Sequence, residues 1–170
     1  MQSSPKQQEE AFVQAFHTYQ DALFRHSFFR ISNRQASIDL VQEAFTKTWL
    51  QISKGEEILN FQSYLYHVLN NLIIDYYRKR KSVSLDSLAD DGFDPKGSTG
   101  NEIFAHAEYG QLLKRLETLP QQDRDVVIMR HVDGLQIKHI AQVLGETENS
   151  VSVRLHRAVK KLKQYFHEHE

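Results

Sequence analysis

From Ser150 to Tyr165 the chain carries Arg154, Arg157, Lys160, Lys161 and Lys163 and no acidic residue. Val151, Leu155, Ala158 and Leu162 recur through the same stretch at helical spacing and form one inward stripe. Helical geometry then turns Asn149, Val153, His156, Lys160 and Gln164 outward, flanked by Ser152, Arg157 and Lys163. Such side chains meet DNA in two ways. Cations along the helix neutralise phosphates, while the groups near its start reach base edges in a major groove. Arg157 stands out, because a guanidinium can bridge guanine O6 and N7 or clamp a phosphate. Arg154 lies nearer the buried stripe and is assigned to backbone contact or an intramolecular pair. A solvated basic face on a plain helical hairpin would carry the same charges, so the elements that position the helix decide between the two.

Those elements precede it. Ile137, Ile140, Ala141 and Leu144 recur at helical spacing, Gly145 breaks the pattern, and Val151 restarts it, which is a helix-turn-helix signature. Ala141 is small where the two helices cross, Gly145 can take the positive φ of a tight turn, and Val151 fills the angle between the helices.

Composition sets the bounds. The chain has 170 residues, 40% of them hydrophobic, a formal net charge of −1 and a pI near 6.8, so a DNA-binding footprint must be local. The absence of cysteine removes disulfides, thiolate metal sites and thiol nucleophiles, and places the chain in a reducing cytoplasm. No apolar run approaches the ~18 residues of a membrane span, so neither export nor membrane insertion is expected.

Taken in order, 11–29 mixes Phe12, Phe16, Tyr19, Leu23, Phe24 and Phe28 at spacings of three and four, which predicts one or two amphipathic helices. Ser37 is the expected N-cap of a helix striped by Ile38, Val41, Phe45, Trp49 and Ile52, with Asp39, Gln42, Glu43, Thr46 and Lys47 on its opposite face. After a loop at Gly55, Asn60 is expected to cap a helix running to about Arg80. Residues 82–104 turn to Gly, Pro, Ser and aspartates, which predicts a flexible acidic linker between an N-terminal domain, 1–81, and a C-terminal one, 105–170. Such a linker lets the two touch in the free chain. In the second domain, Val126, Val127, Met129 and Val132 make the buried side of a helix that Pro120 starts. No period of two is sustained, so the fold class is all-α: two small helical domains, the second a helix-turn-helix domain.

Three stretches, DLVQEAFTKTW from Asp39, FQSYLYHVLNNLIIDYYRKR from Phe61 and LPQQDRDVVIMRHVDGLQIKHIAQVLGETENSVSVRLHRAVKKL from Leu119, together resemble the bacterial sigma-70 family in its small, extracytoplasmic-function form. The resemblance implies a promoter-recognition subunit that binds RNA polymerase core enzyme and promoter DNA, catalyses no bond chemistry, needs no cofactor, and meets an anti-sigma factor, as family members often do. It implies that Asp39, Gln42, Glu43 and Lys47 contact the clamp helices of the polymerase large subunit, with Phe45 and Trp49 in the core. The loop 53–61 and Asn71 correspond to the minus-10 reader, which captures an unstacked base, with Arg78, Lys79 and Arg80 on the backbone of the displaced strand. The helix-turn-helix corresponds to the minus-35 reader, with Asn149, Ser150, Ser152, Val153, His156, Arg157 and Lys160 at the DNA. The chain departs from the family pattern at Tyr64, usually Trp, at Asn70, usually Arg, and at His139, usually Glu. No further domain is expected after Glu170.

Nine histidines invite a metal or pH-sensor reading, but they are scattered and no acid or cysteine cluster accompanies them. No phosphate loop, nucleophile motif or paired buried acids point to catalysis. The rival reading is a stand-alone helix-turn-helix regulator, which would dimerise to reach two half-sites and would have no use for the N-terminal half.

Overall fold

A reciprocal cap starts the chain's first helix. In the computed structural model, which describes residues 4–86, 112 and 114–167, Ser4 Oγ accepts from Gln7 N at 3.3 Å and Ser4 N donates to Gln7 Oε1 at 2.8 Å. Helix α1 (Pro5–Ile31) then runs unbroken to Ser32, whose left-handed φ of 50° ends it. The aromatic spacing, which allowed one helix or two, belongs to one.

Helix α2 (Arg34–Ser53) begins four residues earlier than expected. Asn33, not Ser37, is its N-cap: Asn33 Oδ1 accepts from Ala36 N at 2.9 Å, and Ser37 is buried inside the helix with its hydroxyl donated to Asn33 O. The polar 33–36 run, apolar only at Ala36, hid that first turn. A loop with Gly55 at φ 88° leads to Asn60, whose Oδ1 accepts from Ser63 N at 2.9 Å and caps α3 (Phe61–Asp86). This helix continues past Arg80 into 82–86. The rest of the expected linker lies outside the described residues.

After a helical turn at 114–117, α4 (Gln121–Val127) passes into a π-helical turn, Ile128–Val132, then come α5 (Ile137–Leu144) and α6 (Glu148–His167). Val126, Val127, Ile128 and Met129 are all buried where α4 widens into the π turn, a run that a regular helical period does not predict. Gly145 takes φ 67° between α5 and α6, as the turn requires.

Leu23, Ala44, Phe45, Leu65, Leu69 and Ile73 form the buried centre of α1, α2 and α3, each large side chain contributing about 1.5–3 kcal/mol of burial. Trp49 departs from the expected core. It is 38% exposed and lies at the rim, its ring 5.2 Å from that of Phe12. Val126, Met129, Ile140, Ala141, Val143 and Val151 continue the same apolar cluster into the C-terminal half, and the two halves join where α3 meets α5 and α1 meets the π turn.

Candidate nucleic-acid interface

Helix α6 is oriented by what it buries. Val151 and Ala158 are fully enclosed and Leu155 and Leu162 pack against the core, so Asn149, Ser152, Val153, His156, Arg157 and Lys160 all stand exposed on the opposite side. Val153, at 49% exposure, puts two methyl groups among these polar neighbours. Ser150 faces partly inward and donates to Glu146 Oε2 at 2.8 Å, while Arg154 donates to Glu146 Oε1 at 2.7 Å. Arg154 therefore takes the intramolecular of its two expected roles. Burial alone would raise the Glu146 pKa, but the hydrogen bonds from Arg154 and Ser150 and the charge of Arg154 outweigh it and lower the value. Lys161 leaves the basic run: its Nζ pairs with Asp123 Oδ2 of α4 at 3.3 Å.

At the other end, the loop after α2 and the start of α3 border a cavity of about 450 Å3, lined by Gln51, Glu56, Asn60, Ser63, Tyr64 and His67. Asn71 lies in a second hollow, of about 280 Å3, beside Lys47, Lys54, Val68 and Asp75. Gln51 and Tyr64 line both, so the two hollows are adjacent, and Asn71 shares the second with Lys54 at the start of the loop while the rest of the loop borders the first. Asn71 Nδ2 is 3.2 Å from His67 Nε2, and His67 Nδ1 is 3.2 Å from the carbonyl oxygen of Val143 on α5. Arg78, Lys79 and Arg80 follow on exposed turns of α3, Arg78 beside Asp75 and Arg80 over the ring of Tyr76.

On α2, Asp39, Gln42, Glu43 and Lys47 are all exposed on one side. Asp39 accepts from Gln35 at 3.0 Å and Lys47 pairs with Glu43 at 3.2 Å, both within the helix. The exposed Leu50 extends this surface.

Sequence reasoning missed a buried polar seam between the halves. Arg30, 2% exposed, donates from one nitrogen to Asn70 Oδ1 at 2.7 Å and from another to Asp125 Oδ2 at 2.6 Å. Its first nitrogen also lies 3.2 Å from His26 Nε2, and His26 Nδ1 is 2.6 Å from Asp133 Oδ2. A guanidinium has no acceptor, so Nε2 accepts from it and Nδ1 carries the hydrogen given to Asp133. Burial first, then the charge of Asp133, raises the pKa of Tyr66, whose ring meets His26 edge-on. Burial likewise raises that of Tyr77, whose hydroxyl donates to the Arg30 carbonyl. The Asn70 position, where the family usually has Arg, receives a guanidinium from α1 instead.

No group of three or more metal-ligating side chains occurs among the described residues, and none of their helices is long and apolar enough to cross a membrane. The family "Sigma-70 region 2" matches residues 15–83 and "Sigma-70, region 4" matches 109–162, so loop, Asn71 and α2 face fall in the first and α5–α6 in the second. RNA polymerase sigma factor SigV of Bacillus subtilis (strain 168) is 29% identical over 137 residues, covering 81% of this chain and 80% of its own. ECF RNA polymerase sigma factor SigW of the same organism is 24% identical over 173 residues, covering 94% and 90%. In fold, the chain is similar to the sigma factor RpoE crystallised with the anti-sigma factor NepR from Bartonella quintana, with a TM-score of 0.71 at 22% identity over 95% of this chain and 99% of that one. It is equally similar to CnrH in complex with the cytosolic domain of CnrY, with a TM-score of 0.71 at 22% identity over 98% and 94%.

Proposed function

The chain belongs to the sigma-70 family, in its extracytoplasmic-function group, as an alternative sigma factor that binds core polymerase and promoter DNA and directs transcription initiation, and from that premise we propose how its residues divide the work. The α2 face of Asp39, Gln42, Glu43 and Lys47 docks on the polymerase. The loop cavity and Asn71 take the unstacked minus-10 strand, with Arg78, Lys79 and Arg80 on its backbone, because a base freed from the stack offers an edge and a π face to an amide and an aromatic neighbour. Asn149, Ser150, Ser152, Val153, His156, Arg157 and Lys160 read the minus-35 element. The protein itself makes and breaks no bonds and works in the cytoplasm. Its domains are 1–81 and 105–170 with 82–104 between them, and an anti-sigma factor is its regulatory partner.

One observation carries this reading over a stand-alone regulator: a solvent-facing cavity with amide and aromatic lining, at the start of a helix that goes on to the exposed cations Arg78, Lys79 and Arg80, in the same chain as an outward-facing helix-turn-helix. Run-off transcription with core enzyme and a promoter library tests it. The chain is expected to need core enzyme for specific initiation, and a specific duplex shift by the chain alone would refute the division. Asp39→Lys combined with Gln42→Ala is expected to weaken co-purification with core while leaving helicity unchanged.

A further inference from the structure

The cavity beside the minus-10 loop is not built from the N-terminal half alone. Gln142, on α5 of the helix-turn-helix, is part of its wall. One residue further on, the carbonyl of Val143 receives His67. A carbonyl only accepts, so His67 Nδ1 carries the hydrogen and its Nε2 is left to accept from the Asn71 amide. An amide reads a base edge by presenting its N–H and its C=O together, and here that plane is fixed by a bond to an imidazole which α5 itself orients. Behind this rim lies the buried seam, where Arg30 and His26 on α1 engage Asp125 and Asp133 across the same junction. Asp125 on α4 and Asp133 just after the π turn bond to Arg30 and His26 on α1, so the seam ties the segment that leads into α5 to the N-terminal half.

We propose that His67 is a positioning residue through which the seated helix-turn-helix masks the minus-10 reader: docked α5 walls the cavity with Gln142 and, through Val143 and His67, holds the Asn71 amide away from DNA. Unseating α5 takes away the Val143 carbonyl and the Gln142 wall together, and Asn71 becomes free to turn to a base. The face of α6 is not covered by this arrangement, so the two readers differ in when they are available. The inference rests on the assignment of Asn71 to the minus-10 strand.

The test uses the full chain without core enzyme and, as probe, a fluorescein-labelled single strand bearing the minus-10 element that the holoenzyme selects. Asp125→Ala with Asp133→Ala removes the acids that hold Arg30 and His26, and small-angle scattering is expected to show the halves apart. In the native chain Asn71→Ala is expected to leave strand affinity unchanged. In the opened chain the same substitution is expected to cost about two- to tenfold, the size of one hydrogen bond. His67 is exposed, so His67→Ala tests the link without disturbing the seam; it should make the closed chain sensitive to Asn71→Ala, and His67→Gln, which keeps one donor and one acceptor, should restore the mask. An equal cost of Asn71→Ala in closed and opened chains overturns the mask and leaves the minus-10 assignment standing. No cost in either overturns that assignment and the mask with it. A scattering curve unchanged by the two alanines overturns the role of the acids in seating α5.

Discussion

The helix-turn-helix shows two opposite faces to the rest of the molecule. Its second helix, α6, is held by apolar groups, Val151 and Ala158, and presents polar side chains that bond to nothing else in the fold's core. Its first helix, α5, and the segment before it meet the N-terminal half across a junction that adds directional buried bonds to the shared apolar cluster: the ion pair of Arg30 with Asp125 on α4, and the hydrogen bond of His26 to Asp133 after the π turn. Apolar burial is non-directional and tolerant of small shifts, whereas a buried ion pair fails once either partner moves away. The contrast places apolar packing under the face that reads DNA, and adds partners that must stay aligned where the halves meet.

The largest effect is therefore expected at Arg30. Arg30→Ala strands the Asp125 carboxylate and the Asn70 amide, and loss of one member of a buried pair costs about 3–5 kcal/mol, or roughly 6–20 °C in Tm for a chain of this size. Arg30→Lys should recover only part, since one ammonium cannot span the three partners of a planar guanidinium. Urea denaturation followed by helical signal measures both. A loss under about 1 kcal/mol in a chain that stays compact would put seam and reading face on the same footing and break the comparison.

On the α6 side the expected pattern inverts. Arg157→Ala should change stability by less than about 0.5 kcal/mol, because the side chain is exposed, yet lower base discrimination at one minus-35 position by about 1–3 kcal/mol. Promoters selected by the holoenzyme from a randomised upstream element report it directly. Val153 sharpens the same point. If its exposed methyls meet a thymine C5-methyl, replacing that thymine by uracil should cost about 0.8 kcal/mol in the native protein and nothing in Val153→Ser. An upstream preference indifferent to both residues would move specificity off this face.

How much of this was legible in the sequence follows from the separation of the partners. The helix-turn-helix could be read because its determinants are local: the apolar period, the small Ala141 at 5% exposure, and Gly145 at φ 67° all lie within a few residues of one another. The outward set from Asn149 to Lys160 followed from that period alone. The seam could not be read, because its bonds join residues 95 and 107 positions apart, and an isolated Arg or Asp in a helix looks like solvated surface until the fold buries it. The His67–Asn71 contact lies at a helical spacing of four and was visible in principle, but the Val143 carbonyl that gives it meaning is backbone and leaves no mark on the sequence. Ser37 misled for a local reason: Asn33 is an equally good cap and sits beside the left-handed Ser32 that ends α1.

The smallest expected effect lies at the turn, where charge and apolar packing act on the same helix. Arg154 and Glu146 are 16% and 27% exposed on their side chains, and with Ser150 they tie the start of α6 back to the turn that follows α5. The Glu146 carboxyl is held below its ordinary value near 4.5, so the folded state favours the ionised form more than the unfolded chain does. Its contribution is thus present above the unfolded value and is lost as pH falls through the lowered folded one. Glu146→Gln should cost about 1 kcal/mol or less at neutral pH, and the gap between the two proteins should close as the pH is taken below about 4. Denaturation of both proteins across that range measures the gap. Were it to persist undiminished in acid, the ion pair would not be what holds the turn, and the orientation of α6 would rest on the stripe of Val151, Leu155, Ala158 and Leu162 with the Lys161–Asp123 pair, which would leave the reading face chiefly a product of apolar packing.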